Sequence, residues 1–419
     1  MRLTKGIACF NYDSFLGRDA AGPQKTRGAR RAVELQLRMN RPMLNRRMTR
    51  WIAGFVVAGY LLPTGAVAAQ DAGGNFEELS RQAEAQLDAH PAEAAGSYRK
   101  ALALRPDWAE GWLYMGACLF RTGRYAEARD AFRKGVPLQP GKGTPLAFLG
   151  MTEYELGDYK EAIADIVKGE SLGLVDKPGF AAAVRYRAAL IGLRFSDFAL
   201  ALDQIRPLAK AGDNSPGVIE VLGLSALCMN ILPANIPAAR LPEVELAGRA
   251  AWAFVAEKPD EADPLFKQLE ASFPNERGIH YMCGVYRLNS DPAAAEAEFH
   301  QELQVAPANI LAHVQLALLM MKRGDDEGAV KEASEAVRLG PADALSQATL
   351  GRALMDAGKM TEAIAALEKA EKLAPQAPRT HFYLEQAYRR AGKVDEARRE
   401  KAEWDRLHAL QEPAETAHP

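Results

Sequence analysis

The 419-residue chain has only four cysteines, Cys9, Cys118, Cys228 and Cys283, and no two of them form a CxxC pair. That spacing excludes a disulfide framework and a cysteine-built zinc site. Cys118, Cys228 and Cys283 read instead as small apolar packing residues. The seven histidines are dispersed, with no pair at metal-ligand spacing, so no metal and no cofactor are expected. HExxH, GxSxG and GxGxxG are all missing, which removes the commonest hydrolase and dinucleotide signatures. The stretch GKGT at 141–144 lacks both the glycine five residues earlier and the Ser/Thr after Lys142 that a phosphate loop needs, and reads as a turn. The chain is therefore expected to be non-catalytic, with no small-molecule substrate.

Charge is unevenly spread. Residues 1–68 hold 12 Lys and Arg against 3 Asp and Glu, whereas the remainder holds 40 against 51. An acidic body argues against nucleic-acid binding, which depends on a basic surface to displace counterions. The sequence MLNRRMTRWIAGFVVAGYLLPTGAVAA at 43–69 has a positive start, an uncharged apolar run from Trp51 to Leu62 and an A-x-A pattern at 66–68. This is the layout of a secretory signal peptide. Its apolar run is short of the ~20 residues that span a bilayer, so cleavage after Ala68 is the expectation, with the product periplasmic or secreted. An uncleaved inner-membrane anchor is the alternative, which would make the chain a membrane-anchored assembly factor or an accessory subunit of an enzyme complex. Met43 or Met48 is an alternative start, which would leave the basic residues 1–42 untranslated.

What is abundant is alanine and glycine at a fixed spacing. Trp112, Gly116, Gly123, Tyr125, Ala128 and Phe132, in a unit that ends at Pro140, recur 34 residues on as Leu146, Gly150, Gly157, Tyr159, Ala162 and Ile166. Farther along, Ala262, Phe266 and Pro274 return as Ala295, Phe299 and Pro307, then as Ala329, Ala333 and Pro341, then as Ala363, Leu367 and Pro375. Those steps are 33, 34 and 34. Gly351 keeps the register of Gly116 and Gly150.

With Ala94, Tyr98, Ala101 and Pro106 standing 34 residues before the first of these, seven such copies resemble the tetratricopeptide repeat, with its W-x₂-L-G-x₂-Y, A-x₃-F and P pattern. The resemblance implies an all-α fold, a right-handed α-solenoid of stacked helix-turn-helix units. Small residues such as Gly116, Ala128, Gly150 and Ala162 would let paired helices approach, and Phe132, Phe266 and Phe299 would fill the gap to the next unit. The expected organisation is a basic preface at 1–42, a signal peptide at 43–68 and an N-terminal array at 75–175. Divergent repeats follow at 176–242, with a proline-rich break at 230–242. A C-terminal array with a capping helix then occupies 243–411, and a disordered tail 412–419.

The resemblance also implies a function: binding of a protein or peptide in the groove lined by the first helix of each repeat. Carried onto this chain, the lining offsets give His280, Arg287, Met321 and Lys322, then Arg352, Met355, Phe382, Arg389 and Arg390. The result would be a basic, partly apolar groove. Arginine forks suit carboxylates, and Met and Phe suit an apolar anchor. The N-terminal array offers Glu110, Leu113, Phe120, Arg121, Met151 and Tyr154. A membrane partner is expected only if the signal segment is retained.

The break NILPANIPAARLP at 230–242 carries Pro233, Pro237 and Pro242. Residues 216–229 read as a first helix, and the prolines stand where its second helix should follow. The expectation is a repeat whose second helix is replaced by an extended segment, packed through Ile231, Leu232, Ile236 and Leu241.

Overall fold

A computed structural model describes residues 70–175 and 179–411. The preface, the signal segment and the tail at 412–419 lie outside the described residues. The described residues hold 19 α-helices and no strand. They fall into two compact units that part between Ile191 and Gly192, inside one helix, so the division does not follow the proline-rich break.

The N-terminal unit contains α1 (Gln70–Gln86), α2 (Pro91–Leu104), α3 (Ala109–Arg121), α4 (Tyr125–Gly135), α5 (Gly143–Leu156), α6 (Tyr159–Ser171) and most of α7 (Phe180–Arg194). The helices pair as α1–α2, α3–α4 and α5–α6. Ala128 and Ala162 are fully buried, as is Phe132. A Cβ added to Gly116 would stand 2.5 Å from the Phe132 ring, so α3 and α4 cross at a glycine. Gly143, from the GKGT stretch, opens α5, and a Cβ there would lie 1.9 Å from the Gly169 carbonyl oxygen. That glycine is needed for close helix approach.

The C-terminal unit continues with α8 (Phe198–Lys210), α9 (Pro216–Ala226), α10 (Leu241–Val255), α11 (Pro259–Ser272), α12 (Ile279–Arg287) and α13 (Pro292–Val305). It ends with α14 (Ile310–Arg323), α15 (Asp326–Leu339), α16 (Ala344–Asp356), α17 (Met360–Leu373), α18 (Pro378–Arg390) and α19 (Val394–Gln411). Helices α12–α13, α14–α15, α16–α17 and α18–α19 form hairpins. Ala262, Ala295, Ala329 and Ala363 are fully buried along the second helices, with Phe266 and Phe299 beside them. Asp197, Asp291, Asp325 and Asp343 cap second or first helices by accepting an amide N–H three residues on. Within most hairpins the turn is a left-handed glycine, as at Gly324, Gly358 and Gly392.

Around the prolines the pattern changes. Cys228 (φ 51°) closes α9 with the same left-handed turn, and Met229 N–H donates to the Leu224 carbonyl at 2.8 Å. A second helix should start here. Instead Pro233–Asn235 forms one 3-10 turn, and Pro242 sits in the first turn of α10. Ile231, Leu232, Ile236 and Leu241 are half-buried. Without its own second helix, α9 packs directly on α10. A Cβ on Gly223 would lie 2.1 Å from the Val244 carbonyl oxygen, and one on Gly248 2.1 Å from that of Ile219. These reciprocal contacts run antiparallel. Helix α10 thus takes the place of the missing second helix for α9. It also serves as the first helix for α11, joined through the left-handed Glu257 (φ 58°).

Candidate functional site

The first helices of the C-terminal unit share a device that sequence reasoning missed. His280 Nε2 lies 3.0 Å from the Pro274 carbonyl oxygen, His313 Nε2 3.3 Å from that of Pro307, and His381 Nε2 3.0 Å from that of Pro375. Gln347 donates to the Pro341 carbonyl at 3.2 Å, and in the N-terminal unit Trp112 donates to that of Pro106 at 2.8 Å. Each side chain reaches back six residues and latches its helix to the turn before it. The legible signal was the constant six-residue gap between the repeat's proline and a side-chain donor.

The histidines do more than latch. Their Nδ1 atoms lie 2.7 Å from Glu298, Glu332 and Glu400, each on the second helix of the same hairpin. A ring facing an acceptor at both nitrogens is fully satisfied only as imidazolium, which donates twice. For His381, burial pulls against the charged form, while Glu400, the Pro375 carbonyl and Glu371 favour it. The net shift is upward. The hydrogen bond from His313 leads the causes that hold Glu332 below the usual carboxylate range.

This placement corrects the expected lining. His280 is buried and bonded at both ring nitrogens, so it does not face a groove. The 33-residue step between Ala262 and Ala295 puts His280 at the offset of His313, the packing position. Counting back by 34 therefore slips one residue, about 100° around the helix. Arg287 carries the same slip. Its guanidinium bridges Glu270 at 2.5 Å and Glu298 at 2.6 Å, inside the hairpin stack. Met321 and Met355 keep the lining offset, yet both are buried in apolar clusters, where an unbranched thioether folds into available gaps.

The residues that do present themselves are Lys322, Phe382, Arg389 and Arg390, all exposed, and the partly exposed Arg352. Arg352 donates to the Tyr383 hydroxyl at 3.4 Å and lies 5.7 Å from its ring centroid. Phe382, 38% exposed, sits with its ring 5.8 Å from Trp404 of α19. Trp404 in turn stacks on His408 at 5.3 Å. The face is not uniformly basic. Glu385 approaches Arg389 at 3.5 Å. Asp356, raised by burial despite Arg352 and Arg390, contributes a carboxyl. In the N-terminal unit Phe120 and Tyr154 are half-buried at the lining offset, and Met151 is buried. Arg121 is spent on the Leu87 and Asp88 carbonyls at 2.7 and 3.0 Å.

The tetratricopeptide repeat family model matches residues 82–142 and 349–403, one stretch in each unit. No curated protein matches the chain. Similar solved structures include the MamA RS-1 ArsTM double mutant, 21% identical, covering 41% of this chain and 96% of that one, with a TM-score of 0.37. MamA 41-end from Desulfovibrio magneticus RS-1 is 20% identical over 42% of this chain and 97% of its own, with a TM-score of 0.35. A further MamA structure is 19% identical, covering 38% and 94%, with a TM-score of 0.35.

Proposed function

We propose that this tetratricopeptide-repeat protein is an exported, non-catalytic scaffold that holds a protein segment on the first-helix face of α16 and α18. Repeats of this family are protein-interaction modules, and the position of the segment is our reading. The observation that carries it is the exposed Phe382. It is a large aromatic at a lining offset, backed by Trp404 and flanked by Arg389 and Arg390 on the same helix. An aromatic anchor beside guanidinium forks fits a segment with one apolar side chain and a nearby carboxylate.

The test is photo-crosslinking from position 382 in the exported protein, compared with position 398 on the exposed charged face of α19. A partner trapped at 382, and lost when Arg389 and Arg390 are changed to Glu, supports the site. An identical adduct pattern from both positions overturns it.

The positive start and short apolar run at 46–62 support export with cleavage. N-terminal sequencing of the exported protein should begin at Ala69. A start at Met43 or Met48 would instead support a retained, membrane-anchored assembly factor.

A further inference from the structure

The structure assigns a divalent transition-metal site to Glu371 of α17, His381 of α18 and Glu400 of α19, at the junction of the last hairpin with the array. One ligand atom from each, a ring nitrogen of His381 and one oxygen of each carboxylate, lies within 4.8 Å of the others; Nδ1, which faces Glu400 at 2.7 Å, would give up its proton on binding the ion. His381 is 3% exposed, and its other ring nitrogen is fixed at 3.0 Å from the Pro375 carbonyl. A metal-binding imidazole is normally oriented by that kind of outer bond. One imidazole nitrogen with two carboxylates suits zinc-like ions better than magnesium or calcium.

The repeat itself supplies the decisive comparison. Glu270, His280 and Glu298 occupy the same offsets three repeats earlier in the array, eight residues after Ala262, eighteen after it and three after Ala295. There the two carboxylates are bridged by the Arg287 guanidinium. At the last copy the residue seven after the histidine is Tyr388, whose hydroxyl donates to Glu368 instead, at 2.8 Å. In the copy at His313 the first carboxylate is replaced by Leu303, and only Glu332 remains. Two carboxylates therefore converge at His381 without the arginine that balances the first copy. A bound cation would take the part of Arg287 and tie the last hairpin to α17.

None of this was visible in the spacing of histidines along the chain, because the three ligands stand ten and nineteen residues apart on three helices.

The test uses the exported chain stripped by chelator, with ZnCl₂ titrated by calorimetry and by thermal melting. Wild type should bind one equivalent that Glu371→Leu lacks, and should melt several degrees higher with zinc. Glu371→Leu copies Leu303, so folding is preserved while the site is lost. Tyr388→Arg copies Arg287 and should raise the melting temperature without zinc, while weakening zinc binding at least tenfold. His313→Gln is the control and should keep the zinc response. Wild type without a stoichiometric zinc equivalent at micromolar concentration overturns the assignment. So does Glu371→Leu binding zinc as wild type does.

Discussion

The two units use the same repeat, but the C-terminal one adds histidine–carboxylate pairs between its helices. In the N-terminal unit the links between helices are aromatic. Phe76 meets Trp108 edge-on at 5.1 Å, Tyr98 stacks on Tyr114 at 5.9 Å, and Phe132 stacks on Phe148 at 5.4 Å. The C-terminal unit keeps such contacts, as where Phe266 stacks on Tyr286 at 4.0 Å, and adds ionic networks at other positions of the repeat. His280, Arg287, Glu270 and Glu298 form one of them, and His313–Glu332 and His381–Glu400 are two more. A fourth is the fully buried Glu302, which receives the Gly278 N–H at 2.9 Å, the Tyr281 N–H at 3.2 Å and the Asn309 amide at 2.8 Å. The hydrophobic part of aromatic packing is non-directional, and such pairs are indifferent to proton or metal concentration. A buried polar network is directional, fixes helix register and fails sharply when one member is removed. The contrast therefore divides a generic stack from one whose junctions are individually specified.

The largest expected effect breaks the aromatic side. Phe132→Ala removes a fully buried ring that stacks on Phe148 and meets Gly116. It should cost about 3–5 kcal/mol in a denaturant melt. Close behind, Glu302→Ala strips the start of α12 of its acceptor, because Gly278 has no side chain with which to cap that helix. Several donors are left unpaired, at roughly 1–3 kcal/mol each, for a total of about 3 kcal/mol. Hydrogen exchange distinguishes the two changes. Protection should fall at the Gly278 and Tyr281 amides in Glu302→Ala, and across α3 and α4 in Phe132→Ala. Equal, unit-wide loss in both variants would erase the distinction between the two kinds of core.

A smaller effect probes the place where the repeat is interrupted. Gly223→Ala pushes a methyl into the Val244 carbonyl, a backbone atom that cannot swing aside. The expected cost is about 1–3 kcal/mol, with faster exchange in α10. Gly212→Ala is a comparison for a glycine with open space around it but a left-handed φ of 86°. Its penalty should be purely conformational, about 1 kcal/mol, with α10 protection intact. If both variants disturb α10 alike, direct packing of α9 on α10 is not what holds the break together.

The repeats and their small-residue contacts were legible because a close helix crossing leaves a mark at every copy. Gly116, Gly150 and Gly351 all stand where a Cβ would collide with the paired helix. The proline segment was legible as a missing second helix, but not the consequence that α10 would serve two neighbours. That depends on Gly248, which lies outside the repeat's own small positions. The lining was the least legible. One 33-residue step rotated His280 and Arg287 out of it, and periodicity alone does not show whether a methionine lies outward or folds back. The half-buried acceptors Glu298 and Glu332 and the buried Glu302 were not legible, because a charged residue in a helical sequence carries no sign of the partner that will cover it.

The N-terminal unit has inter-helix ion pairs of its own, such as Arg129–Asp158 and Arg187–Glu155, and its buried carboxylate gives the smallest test of the comparison. Glu153 of α5 is 1% exposed, and its Oε1 accepts from Arg133 at 3.0 Å. Burial first, and then Asp165, push its carboxyl up to about 6 despite Arg133. Asp165 is itself raised, chiefly by burial. A carboxyl with a raised folded pKa holds its proton longer in the folded state than in the unfolded one. Its contribution is therefore complete below the unfolded value of 4.5 and is lost as pH rises through about 6. The shift corresponds to about 2 kcal/mol, small beside the aromatic core. Glu153→Gln keeps the shape and the acceptor for Arg133 but cannot ionise. Melting temperatures from pH 4 to 8 should show wild type losing stability across pH 5–7 relative to Glu153→Gln, with the Asp165 contribution persisting in both. Parallel curves would mean that Arg133 fully compensates the pair. The N-terminal unit would then hold a balanced ionic junction of the kind that distinguishes the C-terminal one.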